Sequence, residues 1–247
     1  MARHPDGVSE LGAARAQRCP WTAPWTAPTV TSALEPLLAP ARRERLRRVL
    51  AARIDSVTLL MDAPHDPHNG AAVLRSAEAF GVQEIHVVPR GEPFLASNKI
   101  ARGTQRWVDT VQHASPQSAI AALRARSYTL VATDPTGTLM PEDLATIPRV
   151  CLILGNERDG ICEQLTRAAD GSVRIPMRGF VESLNVSVSA AILLAAATEG
   201  RAGDLHPERA DEIYARWLYR ATPNAARVLA ALAARLPGKN APPPRGR

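Results

Sequence analysis

The sequence lacks most of the features that would commit a chain of 247 residues to a membrane, a disulfide framework or a common nucleotide site. Its three cysteines, Cys19, Cys151 and Cys162, have no paired or metal-type spacing, so neither a disulfide scaffold nor a zinc site is expected. Cys151 lies in an apolar run, where a thiol packs as a small hydrophobe. The longest apolar run, Ala190–Ala197, falls far short of the roughly 20 residues that cross a bilayer. No basic segment leading into an apolar stretch marks a signal peptide, so the expected location is the cytoplasm. No G-x-G-x-x-G follows a strand-like run. The G-x-x-x-x-G at Gly155–Gly160 continues into Ile161-Cys162 instead of Lys-Ser/Thr, which excludes an NTPase phosphate loop. His65 and His68 flank Asp66, but the intervening Pro67 and the loop setting give no ligand geometry, and no metal is expected.

Lysine is scarce as well: Lys99 and Lys239 are the only two, and arginine carries the positive charge. The net charge of +6 is unevenly spread. Residues 55–200 hold 12 basic and 16 acidic residues, a net of −4, while the flanks hold 18 and 8, a net of +10. A habit of using arginine explains the residue type but not this segregation. Basic ends on an acidic centre point to a polyanionic partner.

Residues 1–39 show no helical or strand period and read as a disordered leader, with a tandem repeat Pro20-Trp21-Thr22-Ala23, Pro24-Trp25-Thr26-Ala27. Residues 40–54 read as a basic helix. Leu46, Val49 and Leu50 form its apolar stripe, and Arg42, Arg43, Arg45, Arg47, Arg48 and Arg53 dominate the rest. The stripe has no bulky aromatic anchor, so nucleic acid is favoured over a membrane surface as its partner. From Val57 onward the pattern alternates: strands at Val57–Met61, Ile85–Val88, Tyr128–Ala132, Val150–Leu154 and Ser172–Ile175, and helices at Asn69–Phe80, Pro116–Arg126 and Ile161–Ala168. This spacing predicts an α/β domain over 55–200, with a mostly parallel sheet covered on both faces. A helical extension is expected over 201–236 and a disordered basic tail over 237–247. Ligands in such sheets bind beyond the carboxyl ends of the strands.

Three polar clusters follow strands. Asp66-Pro67-His68-Asn69-Gly70 opens a helix on which Val73, Ala77 and Phe80 share a face and Arg75 lies nearly opposite. Leu154-Gly155-Asn156-Glu157 begins a glycine-bracketed turn. Ile175-Pro176-Met177 leads through Arg178-Gly179 to Ser183-Leu184-Asn185-Val186-Ser187 and the apolar helix at Ala190–Ala197. Each alone is also compatible with an ordinary capped element or a solvated arginine.

In this order and approximate separation, the three clusters resemble the three motifs of the SpoU/TrmH family of 2′-O-ribose RNA methyltransferases. The resemblance covers about Arg42–Arg201. The basic helix, the stretch Ala101-Arg102-Gly103-Thr104…Trp107 and the basic carboxyl-terminal extension are most similar to the family's tRNA-modifying branch, whose target is a D-loop guanosine ribose. It implies a carboxyl-terminal deep trefoil knot and a homodimer. It also implies S-adenosylmethionine as cofactor, contacted largely through backbone at Thr133, Gly155, Ile175, Met177 and Leu184. Asn69, Arg75, Glu157, Ser183 and Asn185 match catalytic and supporting positions, and Arg42, Arg43, Arg47, Arg48, Arg216 and Arg220 are the expected phosphate contacts. Arg75 is either a transient base or a fixed cation beside the developing alkoxide. Three alternatives stay open: methylation of ribosomal RNA, a catalytically silent RNA-binding protein of the same fold, and an unrelated doubly wound protein acting on a small phosphorylated ligand.

Overall fold

A computed structural model describes residues 19–89, 103–156 and 158–234. They divide into a unit spanning Arg53–Asp204 and a unit made of Arg18–Ala52 with Leu205–Arg247.

The first unit is built on six parallel strands: β1 (Val57–Asp62), β2 (Glu84–Val88), β3 (Asp109–Gln112), β4 (Thr129–Thr133), β5 (Val150–Leu154) and β6 (Gly171–Val173). Their order in the sheet is β3-β2-β1-β5-β4-β6. The central strand β5 is apolar throughout, and β1 beside it is apolar except for buried Thr58 and Asp62, as burial on both faces favours. Alternate residues feed two cores. Leu152 and Leu154 pack with Val73, Leu74 and Ala77 of α3 (Pro67–Ala79) and with Leu193 and Leu194 of α6 (Val186–Thr198). Cys151 and Ile153 pack on the other side with Ala119 and Leu123 of α4 (Pro116–Ala125) and Leu165 of α5 (Glu163–Ala168).

Several boundaries differ from those predicted. Helix α3 starts two residues early, because the Asp66 side chain accepts the His68 amide at 2.8 Å and Pro67 occupies the first turn. Strand β3 was not anticipated. It is a four-residue edge strand that contributes one apolar core residue, Val111, and its place is set by pairing Glu84↔Asp109 through Val87↔Gln112. The last strand ends at Val173 instead of Ile175. Arg53, read as part of the basic helix, is buried and pairs with Glu78 at 3.1 Å.

The second unit unites the two chain ends. Helices α1 (Ala27–Leu34), α2 (Pro40–Ala51), α7 (Pro207–Ala221) and α8 (Ala225–Ala233) belong to it. Residues 27–38, predicted as part of a disordered leader, are ordered: a helix and a short 3-10 turn, with Val30 and Leu34 completely buried. The reason is non-local. The segment offers three core residues, Val30, Leu34 and Leu38, and α1 packs against α7, about 180 residues away in sequence. Arg47 is clamped to Glu35 at 2.6 Å and donates to the Tyr214 hydroxyl, tying both ends together. The remainder of the predicted leader before Cys19 and the tail from 237 lie outside the described residues.

One buried polar pair gives the first unit a pH dependence. His86 Nδ1 and His113 Nε2 are 2.9 Å apart with their rings stacked. Burial, reinforced by the neighbouring His86, pushes the His113 pKa down to about 4. An unfolded histidine titrates near 6.5. Between those values the unfolded chain takes up a proton that the folded chain refuses, so stability falls as pH drops from about 6.5 toward about 4. In thermal melts across this window, His113→Gln is expected to lose less stability than wild type on acidification.

Candidate active site

The register of the parallel strands brings the loops after β4, β5 and β6 to one edge. Met61 lies level with Leu154, Ala132 with Ile153, and Thr133 with Val173. A cavity of about 530 Å³ opens there, within the usual range for a small-molecule site. Leu154, Val173, Ile175 and Leu193 give it an apolar wall, and Thr133, Asp134, Asn156, Ser183 and Asn185 a polar rim. Thr133, Gly155, Ile175, Met177 and Leu184, the five positions expected to contact a cofactor, all line this one cavity. Ser183 and Asn185 line it as well, but Asn69 and Arg75 are not among its lining residues.

The loop after β5 is pinched shut. Asn156 and Gly160 exchange backbone hydrogen bonds at 3.1 and 3.2 Å, and Gly160 takes φ +67° to close the turn. A Cβ on Gly155 would fall inside the Gly160 backbone, so only glycine fits there. The Asn156 side-chain Oδ1 accepts the amides of Arg158 and Asp159, both at 2.8 Å. Glu157 lies outside the described residues.

The third cluster continues into α6. Asn185 caps the helix: its Oδ1 accepts the Ser187 amide at 2.8 Å and the Ser187 hydroxyl at 2.7 Å. Its Nδ2 donates to Asn69 Oδ1 at 3.0 Å. Two amides 116 residues apart in sequence thus join the start of α3 to the start of α6. Arg75 lies two turns into α3, exposed, on the side away from buried Val73, Leu74 and Ala77. No hydrogen bond or ion pair holds it among the described residues.

Sequence reasoning assigned no role to Asp134, Asn156 or Glu182, yet all three line the cavity. Hydrogen bonds from the Thr136 hydroxyl and amide hold the Asp134 carboxyl below its ordinary range. Its placement directly after a strand was the available signal.

The expected phosphate contacts divide. Arg42 and Arg48 are exposed and Arg43 is half-buried, while Arg47 is already engaged by Glu35 and Tyr214. Arg216 is only 7% exposed, on the stretch of α7 that buries Ile213, Trp217 and Leu218. A guanidinium packed in that face cannot reach a phosphate, so Arg216 is withdrawn as a contact. Arg220 is half-buried.

Residues 56–195 match the family model described as the SpoU rRNA Methylase family. A tRNA (guanosine(18)-2′-O)-methyltransferase of Thermus thermophilus is 35% identical over 191 residues, covering 72% of this chain and 96% of that protein. The tRNA (guanosine(18)-2′-O)-methyltransferase of Escherichia coli K12 is 33% identical over 156 residues, 63% of this chain and 68% of that one. Among solved structures, the TrmH/SpoU tRNA modifying enzyme of A. aeolicus superposes with a TM-score of 0.66 at 27% identity, covering 74% of this chain and 98% of that chain. The SpoU methyltransferase AviRb of Streptomyces viridochromogenes, solved with AdoMet, gives 0.54 at 30% identity over 62% and 63% of the two chains.

Replacing Asn185 tests the joint between the loops. Asn185→Ala removes a helix cap worth about 1 kcal/mol, and the melting temperature should drop by roughly 2–4 °C. Asn185→Ser keeps a capping hydroxyl but cannot span to Asn69, and should recover most of that loss.

Proposed function

This chain belongs to the SpoU rRNA methylase family, and from that premise we propose that it is an S-adenosylmethionine-dependent RNA 2′-O-ribose methyltransferase acting on a D-loop guanosine of tRNA. The observation that carries the proposal is the single cavity lined by all five residues expected to hold the cofactor. The tRNA assignment is supported by a relative of that specificity that aligns over 96% of its own length. A ribosomal RNA target is the second reading, supported by the 31% identity to a 23S rRNA methyltransferase of Vibrio vulnificus over 63% of that protein.

The residues present suit the cofactor. The apolar wall of Leu154, Val173, Ile175 and Leu193 suits a purine ring, and the polar rim offers partners for an amino acid moiety. Thr133, Gly155, Ile175, Met177 and Leu184 would hold it. When bound, S-adenosylmethionine supplies a methyl group already activated by a sulfonium, so the chain's own residues have only to prepare the ribose hydroxyl. That hydroxyl is a poor nucleophile until its proton leaves or its developing charge is steadied. Arg75 is exposed, with no hydrogen bond or ion pair among the described residues, and an arginine side chain offers donors and no acceptor. The fixed-cation role is therefore the better supported of the two. Asn69 and Asn185, already hydrogen-bonded to each other, orient the ribose. Ser183 and Glu157 complete the proposed set.

The domain at 55–200 does the chemistry in this reading, and the joined ends hold RNA. The unit of Arg18–Ala52 with Leu205–Arg247 carries 14 basic and 5 acidic residues, a net of +9, whereas Arg53–Asp204 carries 14 and 17, a net of −3. A homodimer is supported by the exposed apolar side chains of Val188 and Ile192, one turn apart on α6, with Leu184 just ahead of them. A trefoil knot would involve the segment from β6 through residues 174–185 into α6, which packs back against α3 and the 3-10 helix Pro141–Thr146. No helix among the described residues is long and apolar enough to cross a membrane, and the proposed site of action is the cytoplasm, where tRNA is found.

Two measurements test the reading. Arg75→Ala should lower methyl transfer to tRNA by roughly 100-fold or more while the melting temperature and S-adenosylmethionine affinity stay near wild type. Near-normal turnover would remove Arg75 from the mechanism. Replacing Arg42, Arg43 and Arg48 together by Ala should weaken tRNA binding and flatten its salt dependence by about 0.7–0.9 per lost contact. Arg47→Ala should instead appear as lost thermal stability, since Glu35 and Tyr214 hold that side chain.

A further inference from the structure

Phe180 is the most exposed large apolar side chain among the described residues, at 109% of its reference area. It sits where the cavity wall is interrupted: Met177 and Glu182 line the cavity, and residues 178–181 join them across its rim. Phe180 is three positions from Met177 and from Ser183, so its Cα lies within about 11 Å of each. Gly179 beside it is open, with nothing within 4 Å of where a Cβ would stand. No backbone hydrogen bond is made by Ile175–Leu184 among the described residues. Stretch 174–184 carries Arg174 and Arg178 against Glu182, a net of +1 in a unit that is otherwise acidic.

A ribose hydroxyl enters a recessed cofactor cavity when its nucleotide is splayed from the stack, and leaving the stack forfeits the contacts of the base. The base is bonded to the same ribose, so it must come to rest close to the cofactor cavity. RNA-binding proteins commonly receive such splayed bases on aromatic faces, which tolerate any base because each presents a π surface. We infer that Phe180 is the platform on which the base of the target nucleotide stacks, with Arg178 beside it facing the backbone charge. This inference rests on the proposed RNA methyl transfer and deepens it by naming the contact that receives the base. Phe180 is exposed together with its neighbours Val181 and Leu184, and grouped exposed apolar side chains mark an interaction site. A nucleobase is favoured over a second copy of the chain because the rim is continuous with the cavity and locally basic. The apolar pair Val188 and Ile192 lies instead on helix α6.

The test compares Phe180→Trp, Phe180→Leu and Phe180→Ala as full-length proteins. Methyl transfer to tRNA, cofactor affinity and elution volume are measured for each. Leucine keeps the apolar surface without the π face. The expected result is that Trp retains transfer, whereas Leu and Ala lose roughly 5- to 100-fold in kcat/KM for tRNA, the scale of one lost stacking contact. Cofactor affinity and elution volume should stay as in wild type. Full activity in Phe180→Leu overturns the platform, and a changed elution volume in Phe180→Ala makes Phe180 a subunit contact instead. A wild-type protein that methylates no RNA overturns the parent reading, which is a separate outcome from either.

Discussion

The level register of the parallel strands is the constraint on which the rest of the molecule depends. Parallel strands point the same way, so every connection after β4, β5 and β6 must start from the same edge. The pairing of Val131 with both Leu152 and Gly171 fixes that edge to within a residue. A slip of one residue would exchange the two faces and send Cys151 and Ile153 into the core now filled by Leu152 and Leu154. The cavity therefore inherits its precision from the apolar cores rather than from its own polar contacts. Each exposed side-chain hydrogen bond at its rim contributes about 1 kcal/mol at most, too little to hold a loop against chain entropy. The Asn69–Asn185 bond is better understood as setting orientation: the helices α3 and α6 already share a core, and the amides choose how their starts face each other.

Unit two poses the opposite problem. Its helices come from opposite ends of the chain, so no local pattern nucleates it, and closing a loop of some 150 residues must be offset by burial. Val30, Leu34, Trp217 and Leu218 supply that apolar burial. The Glu35–Arg47–Tyr214 cluster adds specificity at its margin, where solvent limits its energetic worth. One arginine of the basic helix is spent on architecture, and the exposed ones remain for an anion.

Legibility in the sequence follows the same division. The central strands and α3 through α6 could be read because their apolar periods are local and strong. The cofactor-lining positions came instead from the resemblance of three short clusters to the family's motifs, and the general rule that ligands bind beyond the carboxyl ends of parallel strands agrees with where they lie. Edge strand β3 was invisible, since Asp109 and Val111 bury only by pairing with β2. Helix α1 was invisible because α7 completes it. Arg216 was misread because helical position tells which residues share a face but not which face meets the core, and Arg53 because the basic helix ends at Ala51 and the chain then turns its guanidinium inward to Glu78.

Charge carries the argument one step further. With a net of −3, the unit that holds the cavity offers a polyanion no general attraction, and the proposed long-range capture is assigned to the unit at +9. A cationic residue inside the acidic unit therefore acts at short range, on one substrate group. Arg75 fits that description. It stands on the solvent side of α3, six residues from Asn69, with no carboxylate paired to it among the described residues. An ion pair there would have screened it, and burial would have been needed to make it a base. In the proposed reaction, an exposed arginine with no ion pair among the described residues is available to an oxygen that becomes negative only as the methyl group moves. That is the condition under which a fixed cation lowers a barrier more than it tightens ground-state binding.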